Sequence, residues 1–158
     1  MRKPKIYLET TLFNYFFDKD RDAHADTVKL FQKIARGDYE AFTSDAVTDE
    51  LAQAPIPKNT MMLSLIDEYK IEVFQVNDEA RKLAETYIAE KIIPKKSKTD
   101  AIHIAMATVN ELNFIVSLNF RHIVHMKPKR FINTVNLSNG YRPIEIFTPM
   151  EVVENEKT

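Results

Sequence analysis

The chain has 158 residues, of which 44% are hydrophobic and 28% are charged, a composition typical of one globular domain with a substantial core. Its formal net charge of −1 gives no general attraction to nucleic acid, so nucleic-acid binding would need a local basic patch. The absence of cysteine excludes disulfides and thiolate metal sites. With only two glycines, Gly37 and Gly140, the chain cannot form a dinucleotide-binding fingerprint or a P-loop.

The apolar segments are short. No apolar run approaches the length of a membrane span, and the stretch at residues 6–8 is too short for the core of a signal peptide. We therefore predict a cytoplasmic protein without membrane attachment.

Short β-rich segments alternate with helical patterns along the chain. Five segments rich in Ile, Val, Phe or Tyr predict strands at residues 5–8, 39–43, 72–76, 114–117 and 144–147. Apolar spacing predicts helices around 28–35, 80–88 and 127–137, and the mostly apolar segment 101–112 predicts a buried helix. This alternation indicates an α/β domain with a mainly parallel five-stranded sheet covered on both faces. We predict a single domain over residues 1–150 and a flexible C-terminal tail over 151–158.

Three residues mark expected helix ends. Asp22 and Asn77 precede helical patterns and are candidate N-caps, and Pro94 is expected to close the helix before it.

Four polar residues adjoin predicted strand ends or helix starts. Glu9 ends the first strand, and Glu50 lies in the helix after the second. Asp100 begins the buried helix, and Asn119 follows the fourth strand. Strand ends and helix starts share one edge of a parallel sheet, which is where ligands bind, so we predict that these residues meet there. Such a cluster suits a hydrated divalent cation and phosphodiester cleavage.

Each of these residues also has a purely structural interpretation. Asp100 fits a capping acid stabilised by the helix dipole by about 0.3–1 kcal/mol. Glu50 fits a solvated helix residue, and Asn119 fits a turn. Glu9 is harder to explain structurally, because an unpaired carboxylate beside a buried strand needs a cation or hydrogen-bond donors. His103, inside the buried helix, is expected to be a hydrogen-bonded core histidine, whereas His122 and His125 are expected on a surface helix.

Three segments resemble the PIN-domain family. Residues 6–15, Ile-Tyr-Leu-Glu-Thr-Thr-Leu-Phe-Asn-Tyr, resemble its first strand and the turn that follows. Residues 99–105, Thr-Asp-Ala-Ile-His-Ile-Ala, resemble its Asp-Ala-Leu-His-Ile-Ala signature, and residues 117–123, Ser-Leu-Asn-Phe-Arg-His-Ile, resemble its Trp-Asp/Asn-Phe-Lys-His segment. Residues 44–51 fit the region that supplies the second acid. The chain departs from the family pattern with Glu9 where Asp is usual and Asn119 where Asp occurs in the best-known nucleases.

The resemblance implies a three-layer α/β/α PIN fold and a divalent-metal endoribonuclease, often the toxin of a type II toxin–antitoxin pair and often a homodimer. In this hypothesis the substrate is RNA, and a small antitoxin protein is a further partner. An alternative is a catalytically weak or inactive PIN scaffold that binds RNA or a partner protein. A phosphatase acting on small substrates is a third possibility, without a supporting signature.

The hypothesis assigns a role to each group of residues. The catalytic set is Glu9, Glu50, Asp100 and Asn119, and within it Glu9, Asp100 and Asn119 bind Mg²⁺ or Mn²⁺ directly or through water. The side chains of Thr10 and Asn14 are expected to hold Glu9, and Ser44 is expected to support the site. A basic rim for the RNA backbone is expected from Lys95, Lys96, Lys98 and Arg121. For the three lysines, a solvated loop is an equally good interpretation.

Overall fold

The computed structural model describes residues 2–120 and 129–155. Five strands form one sheet in which every pairing is parallel, in the order β3-β2-β1-β4-β5. The strands are β1 Lys5–Leu8, β2 Glu40–Ser44, β3 Glu72–Phe74, β4 Phe114–Val116 and β5 Glu145–Phe147. The predicted parallel α/β architecture is confirmed, and each predicted strand overlaps an observed one.

The first strand lies at the centre of the sheet. Tyr7 pairs with Phe42 of β2 on one side and with Ile115 of β4 on the other. Its neighbours in the strand, Ile6 and Leu8, are completely buried, as expected for a parallel strand covered on both faces. The chain runs outward from β1 to β3 and then returns to β4 on the opposite side of β1. A crevice therefore forms outside the carboxyl ends of β1 and β4, where the strand order reverses.

Helices cover both faces of the sheet. They are α1 Thr10–Tyr15, α2 His24–Arg36, α3 Asp45–Ala52, α4 Lys58–Glu68, α5 Asp78–Ala89, α6 Lys98–Val109, α7 Lys129–Ser138 and α8 Pro149–Asn155, with a 3₁₀ turn at Lys95–Ser97. Because connections between parallel strands are almost always right-handed, α1 to α4 are expected on one face and α5 to α7 on the other. The contacts agree, because α5 packs on α6 and α7, whereas α8 returns to pack on α2.

The buried helix is the element that carries the third predicted acid. Most of α6 is inaccessible to solvent, from Ala101 to Thr108. It begins three residues before the predicted segment, so Asp100 lies inside its first turn rather than at its start. The prediction of a buried central helix is confirmed, and α7 likewise matches the predicted helix over its described residues.

Two of the three predicted helix ends are wrong. Asn77 caps α5 as predicted, since its side chain accepts a hydrogen bond from the Ala80 amide at 2.9 Å. Asp22 caps nothing, because α2 begins at His24 and the preceding residue, Ala23, makes no side-chain capping bond. Pro94 does not end α5, which finishes at Ala89; it instead precedes the 3₁₀ turn.

The predicted flexible tail is also wrong over much of its length. Residues 151–155 belong to α8, in which Val152 and Val153 are buried. The helix packs on α2 and β5, which bury this apolar pair. Within residues 2–120 and 129–155, no helix combines the length and the apolar character needed to cross a bilayer.

Candidate active site

Glu9 lies at the carboxyl end of β1 and caps the first turn of α1. Its side chain is buried, with 3% exposure, and Oε1 accepts three hydrogen bonds. The donors are the Thr11 amide at 3.1 Å, the Thr11 hydroxyl, and the Ser117 hydroxyl at 2.8 Å. The buried carboxylate is therefore stabilised by donors of the chain itself, which offset the cost of removing it from water.

These donors differ from the predicted ones. Thr10 was expected to hold Glu9 but donates to Glu50 instead, at 2.7 Å from its Oε1. Asn14 makes no side-chain hydrogen bond to Glu9 within the described part of the chain. The actual donors follow from geometry, because a capping side chain reaches the amide two residues ahead, and pairing of Leu8 with Val116 places Ser117 next to Glu9. That pairing could not be inferred from the sequence alone.

Glu50 approaches the crevice from α3. Its side chain is 41% exposed, and Oε1 accepts hydrogen bonds from Thr10 Oγ1 at 2.7 Å and from His103 Nε2 at 3.0 Å. Burial raises the pKa of the Glu50 carboxyl, but the hydrogen bonds from His103 and Thr10 outweigh burial and hold the pKa below its usual range. Glu50 is thus a carboxylate at neutral pH.

Asp100 and Asn119 complete the edge. Asn119 Nδ2 lies 3.4 Å from Asp100 Oδ1, a long hydrogen bond between an exposed amide and a partly buried carboxylate. The Asn119 amide donates to Ser117 Oγ at 2.9 Å, and the Leu118 amide donates to Thr11 Oγ1 at 3.0 Å. Ser117 therefore connects Asn119 to Glu9. Thr10, which follows Glu9 at the start of α1, connects this segment to Glu50. The structure brings the four predicted residues to one edge of the sheet.

A divalent cation was the predicted cofactor, and the donor chemistry is compatible with one. The side chains at this edge offer only oxygen atoms as anionic or neutral ligands, which hard cations such as Mg²⁺ prefer. However, within residues 2–120 and 129–155 no three His, Asp or Glu side chains are grouped closely enough to hold a metal ion. Because Mg²⁺ commonly keeps several waters and uses only one or two carboxylates, a hydrated ion does not require a group of three protein ligands.

Behind the edge lies a buried row of polar groups that includes His103. This histidine is 1% exposed and hydrogen-bonded, which confirms the predicted core histidine. Its Nδ1 lies 2.7 Å from the Tyr7 hydroxyl, which in turn lies 2.7 Å from Ser44 Oγ. Burial raises the pKa of the Tyr7 hydroxyl, so Tyr7 stays protonated. The hydroxyl of Ser44, the predicted supporting residue, contacts Tyr7. Sequence analysis assigned Tyr7 only to a strand, although a buried tyrosine hydroxyl needs a partner.

The predicted basic rim is described in part. Lys95 and Lys96 lie in the 3₁₀ turn and Lys98 begins α6, so three exposed cations precede Asp100 by two to five residues. Arg121, predicted to extend this rim, lies outside the described residues, as do His122 and His125.

Comparison with known proteins identifies the family. The PIN domain profile matches residues 6–125, which include all four residues at the carboxyl edge. The chain belongs to the PIN domain family. This confirms the resemblance inferred from the three sequence segments. No curated protein matches the chain significantly.

Two solved structures share the PIN fold with this chain. The crystal structure of Mycobacterium tuberculosis VapC20, a toxin that cleaves the sarcin–ricin loop, aligns with a TM-score of 0.53 at 14% identity, covering 70% of this chain and 86% of VapC20. Rickettsia felis VapBC2, bound to a DNA fragment from its promoter, aligns with a TM-score of 0.50 at 16% identity, covering 77% of this chain and 92% of the other. At these identities the likeness establishes the fold.

Proposed function

We propose that this PIN domain protein is a cytoplasmic, divalent-metal-dependent endoribonuclease, the toxin of a type II toxin–antitoxin pair. The observation that carries the proposal is the convergence of Glu9, Glu50, Asp100 and Asn119 at the carboxyl edge of the sheet, linked through Ser117 and Thr10. RNA as the substrate is supported by the fold shared with VapC20, whose substrate is the sarcin–ricin loop.

The cation, Mg²⁺ or Mn²⁺, would be held by Glu9 and Asp100, with the Asn119 amide oxygen as a further donor. When bound, such an ion acidifies a water molecule and stabilises negative charge on the scissile phosphate. The Ser117 and Thr11 hydroxyls keep Glu9 oriented toward the crevice. These contacts fix the charged group before substrate arrives, which is what preorganised electrostatic stabilisation requires.

Glu50 orients the attacking water. Its lowered pKa makes it a weak base, so it acts chiefly by accepting a hydrogen bond rather than by removing a proton at neutral pH. The exposed Lys95, Lys96 and Lys98 attract the RNA backbone beside Asp100. Because the net charge of the whole chain is −1, this local rim has to provide most of the attraction.

The proposed partners are RNA, a small antitoxin protein and a second copy of the chain. The antitoxin is supported by the family resemblance and by the fold shared with VapBC2, which is bound to a DNA fragment from its promoter. A homodimer is proposed on the family resemblance.

The test is cleavage of single-stranded RNA with Mg²⁺, with Mn²⁺ and with a chelator. We expect cation-dependent cleavage, lowered about 100-fold or more by Asp100→Asn, because loss of a supporting group alone costs 10–100-fold at metal sites. Asp67→Asn, which removes an exposed carboxylate from α4, is the matched control and should leave the rate unchanged. Equal rates for Asp100→Asn and the parent protein would refute the assignment.

A second candidate is a PIN scaffold that binds RNA or a partner protein without cleaving it. It is favoured by Glu9, whose Oε1 already receives three hydrogen bonds from the chain and so does not require a cation. Thermal unfolding with and without Mn²⁺ separates the two functions. A cation that binds only the folded state raises the melting temperature increasingly as its concentration exceeds its Kd, whereas a scaffold without a cation site shows no shift.

A further inference from the structure

A continuous row of hydrogen bonds runs from the core to the site. Ser44 Oγ lies 2.7 Å from the Tyr7 hydroxyl, which lies 2.7 Å from His103 Nδ1. The opposite ring nitrogen, Nε2, lies 3.0 Å from Glu50 Oε1. Ser44, Tyr7 and His103 are buried, and only Glu50 reaches solvent.

The proton positions along this row follow from the chemistry of its ends. Glu50 is a carboxylate and can only accept, so His103 Nε2 carries a proton. In the neutral tautomer that carries its proton on Nε2, Nδ1 is unprotonated and accepts the single proton of the Tyr7 hydroxyl. The Tyr7 oxygen in turn accepts from Ser44. Each donor in the row then has an acceptor, so every polar proton of the row takes part in a hydrogen bond.

The row also joins the elements that build the crevice. Tyr7 belongs to β1, His103 to α6, and Glu50 to α3, whose first turn follows directly from Ser44 at the end of β2. Glu50 is 41% exposed and has several rotatable bonds, so without a fixed donor its carboxylate would sample several rotamers. Thr10 provides a second donor to Glu50, but its hydroxyl can rotate and therefore fixes the carboxylate less firmly than an imidazole N–H does.

We propose that His103 is a positioning residue whose neutral imidazole, held by Tyr7 with its proton on Nε2, fixes the Glu50 carboxylate in the orientation used at the site. Its effect on cleavage rests on the proposed nuclease function, whereas the tautomer and its dependence on Tyr7 do not. A histidine that only fills the core would contribute to stability without controlling Glu50.

The tautomer can be measured by correlating ring protons with ring nitrogens in ¹⁵N-labelled protein. The chain has four histidines, and the signal absent from His103→Gln identifies His103. We expect a neutral ring protonated at Nε2, with Nδ1 gaining a proton in a fraction of Tyr7→Phe molecules because its donor is lost. A wild-type ring protonated at Nδ1, or a ring unchanged by Tyr7→Phe, overturns the proposal.

Tyr87→Phe is the matched control. Tyr87 is as buried as Tyr7, and its hydroxyl donates to Asn136, away from the crevice. Both variants remove one buried hydroxyl, so both should lower the melting temperature, but only Tyr7→Phe should alter the His103 signals. Equal changes in the His103 signals would show a general effect of core loosening and would also overturn the proposal.

Cleavage kinetics test the consequence for the site. His103→Gln keeps an amide donor near the position of Nε2, whereas His103→Asn is too short to reach Glu50. We expect His103→Asn to lower kcat about tenfold with little change in KM, and His103→Gln to retain more of the rate. Equal kcat values for His103→Asn and the parent overturn the role in positioning. If the parent protein cleaves no RNA under any condition, the nuclease assignment fails, and the tautomer measurement still decides the proposal.

Discussion

At the scale of single residues, the hydroxyl of Ser117 makes two hydrogen bonds in the crevice. It donates to Glu9 and accepts from the Asn119 amide, so it fixes two site residues at once. A hydroxyl can do both because it has one donor and two acceptor positions. Ser117 is 3% exposed, so water cannot readily replace it.

Replacing Ser117 with alanine should therefore be costly. We expect Ser117→Ala to lower the free energy of unfolding by about 1–3 kcal/mol, since it leaves a buried carboxylate oxygen with one donor fewer. Ser64→Ala, which removes an exposed hydroxyl bonded to the Met61 carbonyl within α4, should change it by less than about 0.5 kcal/mol. Urea denaturation measures both, and equal losses would contradict a special role for Ser117.

Glu50 should make stability depend on pH in a defined direction. Its pKa is lower in the folded protein than in the unfolded chain, so its contribution is present above the unfolded pKa and is lost as pH falls through the folded value. Glu50→Gln should thus be less stable than the parent at neutral pH, and the difference should shrink below about pH 4.3, the ordinary glutamate pKa.

Glu85→Gln, an exposed position on α5, is the control for that experiment and should track the parent at all pH values. Denaturation curves across the acidic range provide the measurement. A stability difference for Glu50→Gln that grows toward acid would show that the carboxylate is not stabilised by His103 and Thr10.

At the scale of secondary-structure elements, local signals predicted the cores of strands and helices better than their ends. The β-rich segments were found because parallel strands buried on both faces are apolar throughout. Asn77 was found because its side chain directly precedes a helical pattern and can reach the amide of Ala80. Asp22 has the same local appearance, but α2 starts one residue later than a cap there would require, so its side chain stays exposed.

Alanine substitution should change the free energy of unfolding by different amounts at Asn77 and at Asp22. Asn77→Ala should lower the free energy of unfolding by about 1 kcal/mol, the usual cost of losing an N-cap. Asp22→Ala should have an effect within about 0.5 kcal/mol of zero, as for other exposed sites. Chemical denaturation of both variants checks the pair, and a cost at Asp22 similar to that at Asn77 would argue for a different start of α2.

At the scale of the whole molecule, the sequence predicted at which edge of the sheet the four polar residues meet but not how they are joined. The edge follows from strand–helix alternation and crossover handedness, which need no knowledge of strand order. The contacts of Glu9 with Ser117 and of Tyr7 with His103 depend on strand order and register. Both join residues about 100 positions apart, and neither has a local signature.

The packing of α8 on α2 makes the C-terminal residues part of the fold. Val152→Ala removes two buried methyl groups and should lower the free energy of unfolding by about 1.5 kcal/mol or more, since each buried carbon of this kind contributes about 0.8 kcal/mol. Met150→Ala is a suitable control on the same helix, because Met150 is half exposed. Thermal unfolding compares them, and a neutral Val152→Ala would restore the view that these residues are a tail.

The central position of β1 has a consequence for the timing of protein synthesis. The strand leaves the ribosome before its neighbour β4 and the serine that holds Glu9, which lies 108 residues further along the chain. At typical translation speeds this interval is on the order of 10 s. A nascent chain interrupted before β4 carries Glu9, Glu50 and Asp100 without the strand that assembles them. The edge on which these three carboxylates meet Asn119 is therefore assembled only after synthesis has passed this point.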